Sequence, residues 1–512
     1  GGETTSYAEM HDLALRLANG FAHQGVRKGD SVVVMLPNGT DVIACWLALG
    51  VLGAVEAAVN TAYKGEPLEH AINICEARIM VVAEEFMPQV EALGERLNRL
   101  ERLIVVGESA EHIQSRFALV PFQMLREQAP IDSSRLDVSG RDIASIIYTS
   151  GTTGPAKAVL MPQAQNYLLG KMTLEGLRLG PDDVSYCFHP MFHMAGKFMA
   201  VYGTLMAGAT MVLDLRFDPG AWLHRLREVG ATVTYAHGPM LEMIYAQPET
   251  PDDRNHKVTR LCTAPFPKRI AEDFERRFGI RGLEVWGMTE VGIPTWCTLD
   301  EPLRVGSCGR VAEDWYELRI VDPETDEELP CGQPGEIVVR GRRPWIMMQG
   351  YMGMPEKTIE SWRNLWFHSG DVGYKDESGY VYFVDRLKDK IRRRAEMVSS
   401  YEIESAAAAY PGVLEAVAVG VPSEFEGDDD IKLVLVSRPD AHIEPEKLLR
   451  HMARTLPHYM VPRYIELVGE LPRTPTNKVK KSVLRDSGVT DNVWDRKHSG
   501  RSLRDIVEEE AQ

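Results

Sequence analysis

Residues 148–158 read YTSGTTGPAKA. Within them Thr149, Ser150, Thr152 and Thr153 supply four hydroxyls, and Gly151 and Gly154 let the backbone approach a ligand without Cβ interference. Successive N–H groups in such a turn form an anion nest. Lys157 adds a point charge within reach. An oligophosphate fits this set best, although a Ser/Thr/Gly surface turn fits the bare composition equally well. The stretch is not a P-loop, which requires G-x-x-x-x-G-K-[ST]. Lys157 follows Gly154 at a different spacing, and Ala158 stands where the metal-binding hydroxyl would be.

Such a loop needs elements to hold it. The chain has 512 residues, a formal net charge of −17 and seven cysteines. That length exceeds the roughly 250–300 residues at which a single core stops growing, so several units are expected. Helix-like segments alternate with short Val/Ile-rich runs such as DSVVVMLP, IMVVAEE, ATMVLDL, TVTYA and RLCTA. This alternation predicts layered α/β subdomains with buried sheets. From about residue 304 the pattern changes to strands bounded by Gly, Pro and Asp: YELRIVD, GEIVVRG and GYVYFVDR. They predict a β-rich subdomain. Beyond VDRLKDK a compact α+β unit is expected, with a loosely attached helix in the tail from residue 491.

The acidic balance argues against a nucleic-acid partner. A local basic pocket for an anion stays compatible with it. No CxxC pair occurs, so neither a zinc knuckle nor a disulfide frame is indicated. Residues 42–59, VIACWLALGVLGAVEAAV, form the strongest membrane candidate, but Glu56 interrupts it and its uncharged part is shorter than the ~20 residues a span needs. A buried helix is expected there instead. No signal peptide pattern opens the chain, and a cytoplasmic location is expected.

YTSGTTGPAK resembles the phosphate-binding loop of the adenylate-forming superfamily of acyl-CoA synthetases, peptide-synthetase adenylation domains and luciferases. Further motifs follow in the family's order: PMFHMAG at 190–196, CTAPFP at 262–267, VWGMTE at 285–290, FHSGDVGY at 367–374, the hinge and hairpin at 384–404, and LPRTPTNKVKK at 471–481. The resemblance covers nearly the whole chain and is closest to bacterial acyl-CoA ligases. It implies an N-terminal ATP- and acyl-binding domain over 1–387 and a mobile C-terminal domain over 388–512, with the hinge near Lys388.

The resemblance also implies chemistry. A carboxylate would attack the α-phosphorus of ATP to give acyl-AMP and pyrophosphate, and the thiol of coenzyme A would then release AMP. Thr149, Ser150, Gly151, Thr152, Thr153, Gly154 and Lys157 would cradle the phosphates. Glu290 would help hold Mg²⁺, and Thr289 would donate to the α-phosphate. Thr263, Ala264 and Pro265 would pack on adenine, with Trp286 stacked and Phe383 pressing from another side. Asp371 would take the ribose hydroxyls with Arg386 beside it. Lys478 would reach over from the small domain during adenylation. His193 would gate the thiol route or line the acyl pocket, whose other walls would include Phe198, His237, Gly238, Gly287, Met288 and Val291. Ala395 would lie on the pantetheine tunnel, and Arg463 would contact the coenzyme A nucleotide.

Where many relatives read R-G-E-N, this chain has Arg394-Ala395-Glu396-Met397. Thr263 and Ala158 also stand where glycine is usual. These departures leave a second reading, an enzyme with impaired adenylation that chiefly thioesterifies a preformed acyl-adenylate. A non-catalytic acyl- or nucleotide-binding protein is a third. An amino acid is not expected as substrate, since no acid sits near FHMAG. Coenzyme A is preferred over an acyl carrier protein as thiol, and homodimerisation is left open.

Overall fold

The computed structural model describes residues 4–107, 115–149, 156–387, 391–393, 396–398, 400–423, 429–439, 441–454, 456–473, 479–490, 492–498, 503 and 506. Two large sheets dominate the N-terminal part. The first has eight strands with Ser31–Met35 near its centre, flanked by Val55–Ala58 and Ile79–Ala83. Its strands are parallel except at one edge, where Lys157–Pro162 runs antiparallel to Ile143–Thr149 and Gly350–Tyr351 pairs beyond it. The second has seven strands, with Val184–Cys187, Val233–His237, Arg260–Ala264 and Arg281–Met288 forming a parallel run. These are the Val/Ile-rich runs of the sequence, and their near-continuous burial is what parallel strands covered on both faces require.

A third, antiparallel sheet contains Tyr316–Val321, Gly335–Gly341, Trp366–Lys375 and Val381–Arg386. One hydrophobic core runs through all three sheets, joining residues such as Val34, Leu283 and Ile337. The C-terminal unit has its own sheet of Val413–Pro422, Asp429–Ser437, Tyr464–Leu467 and Trp494–Asp495, and its own cores. The layered α/β part, the β-rich part and the smaller α+β part are thus those expected.

Two local expectations change. Residues 42–59 are not one helix. The helix Thr40–Leu52 ends at Gly53, which takes the left-handed conformation, and the strand Val55–Ala58 follows. The tail is held more firmly than its polarity suggests. Trp494–Asp495 joins the C-terminal sheet, and Ile506 is fully buried, with its carbonyl accepting from Arg450 Nε at 2.7 Å. Most of the helix expected there lies outside the described residues.

The N-terminal part meets the C-terminal unit through a short polar chain. Oδ2 of Asp385, in the strand Val381–Arg386, accepts from Ser400 N at 2.8 Å and from Ser400 Oγ at 2.7 Å. Ser400 opens the helix Ser400–Ala408. Lys481 Nζ donates to the same hydroxyl at 2.5 Å and pairs with Glu404 at 2.8 Å.

All seven cysteines are free thiols. Among the described residues no helix is long and apolar enough to cross a membrane, and no group of three His, Cys, Asp or Glu side chains could hold a metal ion.

Candidate active site

The two large sheets and the third sheet border one cavity of about 580 Å³. Thr149 and Lys157 are described residues that flank the Ser/Thr/Gly-rich stretch. Thr149 closes one strand and Lys157 opens its antiparallel partner, and the two face each other in register. Both line the cavity. Ser150, Gly151, Thr152, Thr153 and Gly154, expected to cradle phosphate, lie outside the described residues. Ala158 follows in the strand and is fully buried in a core with Val33 and Val82. Its methyl group is a packing element of the strand that anchors the loop.

Lys157 Nζ sits 4.5 Å from the centre of the Tyr351 ring, a cation–π arrangement. The Tyr351 hydroxyl donates to Glu290 Oε1 at 2.9 Å. One tyrosine therefore joins the loop lysine to the carboxylate. Burial pushes the Glu290 carboxyl above its ordinary range, while its backbone N–H, Tyr351, Lys157 and Arg386 pull it back. Buried Gln165 fixes the segment by donating to the Thr289 carbonyl at 2.8 Å. Gly287 has no room for a side chain, since a Cβ would lie 2.1 Å from the Gly292 carbonyl oxygen.

Asp371 and Arg386 are cross-strand neighbours in the third sheet, with Arg386 Nε 2.7 Å from Asp371 Oδ1. Gly370 just before takes φ +68°, a turn glycine tolerates, and Ser369 Oγ accepts from Asp371 N at 3.0 Å. The Trp286 indole N–H donates to Asp371 Oδ2 at 2.9 Å. Val285 and Gly287 line the cavity, whereas Trp286 is buried behind them, as strand alternation requires. Thr263 and Ala264 line the cavity, and Thr263 Oγ1 donates to the Pro265 carbonyl at 2.9 Å. Phe383 packs against the main core and is not on the cavity wall.

Three imidazoles also line this cavity and meet one another. The His189 and His237 ring centres are 4.4 Å apart, and those of His193 and His237 are 5.8 Å apart. Met288 also lines the cavity, but Phe198, Gly238 and Val291 are buried behind its surface. Phe198 packs edge-on against Trp46 at 5.9 Å. Arg463 is nearly buried in the C-terminal unit, with Asp430 at 2.7 Å and Asp495 at 3.0 Å. Two carboxylates already hold its guanidinium. Lys388, Ala395 and Lys478 lie outside the described residues.

His189, Tyr235, Tyr351 and the pair Glu56–Lys197 escaped the sequence reading. Tyr235 precedes His237 by two residues in a strand, so period-two alternation puts both on one face. Glu56 and Lys197 are lone charges in apolar runs, a sign that each needs a buried partner. Both are fully buried, and Lys197 Nζ donates to Glu56 Oε2.

The AMP-binding enzyme model matches residues 1–352, and the AMP-binding enzyme C-terminal domain model matches residues 402–478. The chain belongs to this family, as an acid–thiol ligase of the acyl-CoA synthetase type. It is 31% identical over 490 residues to crotonobetaine/carnitine–CoA ligase of Salmonella typhimurium, covering 94% of this chain and 93% of the relative. It is 32% identical over 490 residues to feruloyl-CoA synthase of an Amycolatopsis species, with 95% and 94% covered. Among solved structures, ATP-bound MatB from Rhodopseudomonas palustris superposes with a TM-score of 0.84 at 29% identity, covering 95% of this chain and 94% of that one.

Proposed function

We propose that the protein activates a carboxylic acid as an acyl-adenylate with ATP and transfers the acyl group to coenzyme A. One observation carries the reading. The Lys157–Tyr351–Glu290 cluster and the Arg386 side chain border the same cavity as the three imidazoles, so phosphate, ribose and acyl group can share one enclosure.

Thr149 and Lys157, with the loop between them, hold the β- and γ-phosphates. The Asp371 carboxylate, set by Arg386 and Trp286, accepts from the ribose hydroxyls. Thr263 and Ala264 border the adenine. A single buried carboxylate beside a lysine fits a hard cation shared with phosphate oxygens better than an all-protein cage. Glu290 is the residue that would hold Mg²⁺, which when bound neutralises charge on those oxygens. In the first half-reaction a carboxylate oxygen forms a bond to the α-phosphorus and pyrophosphate leaves, with Thr289 and Lys478 stabilising the transferring oxygens. In the second the thiolate attacks the acyl carbon and AMP leaves. We place the moving unit from about residue 388 onward, so that Lys478 serves the first step and the 391–398 hairpin the second.

Among the described residues no observation favours the reading with weakened adenylation, and Ala395 lies outside them. Ala158 is a core residue and the Thr263 hydroxyl is engaged by its own turn. The test is acid-dependent ATP–pyrophosphate exchange, followed by AMP release on adding coenzyme A. Both are expected. ATP binding without exchange on any acid would sink the proposal, and Lys478→Ala should abolish exchange while sparing thioesterification of a supplied acyl-adenylate.

A further inference from the structure

An ionic pair that the proposed chemistry does not use lies just off the cavity wall. Ala58 and Asn60 reach the wall from the strand Val55–Ala58 and the residues after it, and Ala195 and Met199 reach it from the π-helix Ala195–Tyr202. Glu56 lies two residues before Ala58, on the same face of the strand. Lys197 lies between Ala195 and Met199 and is the only charged residue of that helix. Neither side chain lines the cavity: both are fully buried, and Lys197 Nζ donates to Glu56 Oε2. Glu56 Oε1 has no hydrogen-bond partner among the described residues, so Lys197 is the carboxylate's sole partner among them.

The helix that carries Lys197 is an unusual element. π-Helices are rare, mostly run for a single turn and are frequent at functional sites. Its first turn is pressed against backbone, since a Cβ on Gly196 would lie 2.6 Å from the Pro190 carbonyl oxygen and 2.7 Å from that of His189. Further along, Phe198 and Tyr202 pack edge-on against Trp46, with ring centres 5.9 Å and 5.2 Å away. Apolar packing of this kind is non-directional, whereas a charge-assisted hydrogen bond fixes distance and direction. Replacing a buried ion pair with apolar residues of similar volume is often neutral or stabilising. The pair therefore contributes to the placement of the helix more than to stability.

We propose that Glu56 and Lys197 are positioning residues for the carboxylic acid. By tying the helix that carries Ala195 and Met199 to the strand that carries Ala58, the pair sets the spacing of the wall against which the acyl group packs. The inference rests on the ligase reading above. Neither residue touches substrate, and both act through those three wall residues. A misplacement of about 1 Å made far from the chemistry can cost about a hundredfold in rate, so a small shift of this helix is enough to be read in the kinetics of the acid.

The test runs the full chain with ATP, Mg²⁺ and coenzyme A on butyrate, hexanoate, octanoate, benzoate and cinnamate, and takes the acid that the parent chain uses best. The double variant Glu56→Leu/Lys197→Met removes the tie without stranding a charge. We expect its KM for that acid to rise about tenfold or more, while the KM for ATP and the melting temperature hold. A folded double variant with the parent's KM for the acid overturns the inference and leaves the ligase reading standing. Equal rises in the two KM values overturn it as well, because a general loosening of the fold would not single out the acid. If the double variant fails to fold, Glu56→Asp decides by the same two KM values, since it keeps both charges and shortens the tie by a methylene. Failure of the parent chain to turn over any acid overturns both readings.

Discussion

Trp286 and Asp371 are 85 residues apart in sequence and joined by an N–H···O bond of 2.9 Å, while Arg386 Nε lies 2.7 Å from the other carboxylate oxygen. The carboxylate is thus oriented before any nucleotide arrives. Hydrogen bonds to a buried charged group contribute about 1.5–3 kcal/mol. Trp286→Phe keeps the ring and removes the donor. Initial-rate kinetics should show the KM for ATP raised roughly tenfold or more, with a smaller change in the KM for the acid. An unchanged KM for ATP would mean that Arg386 alone sets the carboxylate.

Tyr351 touches Lys157 with its ring and Glu290 with its hydroxyl. Tyr351→Phe leaves the cation–π contact and removes the donor to Glu290. A titration of activity against Mg²⁺ should then shift to higher metal concentration by about tenfold or more, the effect of losing a ligand's outer partner.

Glu56 and Lys197 form a fully buried pair. Burial pushes Glu56 up and Lys197 down, and their mutual attraction opposes both shifts. Lys197→Met strands the carboxyl in the core and should cost about 3–5 kcal/mol of stability. The double variant Glu56→Leu/Lys197→Met should recover most of that loss in thermal melts, because no charge is left unpaired.

Glu284 titrates in an unusual place. It is nearly buried, and burial lifts its pKa to about 8, against opposing pulls from the Phe266 backbone N–H and Lys268. The unfolded carboxyl sits near the ordinary 4.5. Between those values the folded chain keeps the proton and the unfolded chain loses it, so the stability supplied by this group falls as pH rises and levels off above about 8. The melting temperature of Glu284→Gln should therefore decline less between pH 5 and 8 than that of the parent chain. Parallel profiles would show that Glu284 ionises normally.

The sequence made the strands and the flanks of the loop legible because both announce themselves locally. Val/Ile runs of strand length and a Gly/Thr cluster need no distant partner to be recognised. What stayed hidden depends on long-range placement. Nothing near Lys197 in the chain points to Glu56, 141 positions earlier. Phe198 looked like a pocket wall, but the π-helical segment Ala195–Tyr202 turns it into the core against Trp46. Arg463 looked available for a nucleotide until the fold brought Asp430 and Asp495 to it. In residues 42–59, Gly53 was the local cue that split helix from strand.

The Asp385–Ser400–Lys481 chain spans the segment about which the small lobe would turn. Ser400 is held by a carboxylate on one side and an ammonium on the other; a swing that carried it away from Asp385 would break both bonds to Asp385 Oδ2 together, while Lys481, in the same unit, would move with it. Were the small lobe to turn there, such a contact would act as a detent, holding one lobe position until both bonds give way. Ser400→Ala would blunt the detent and leave the lobe free to drift between stations.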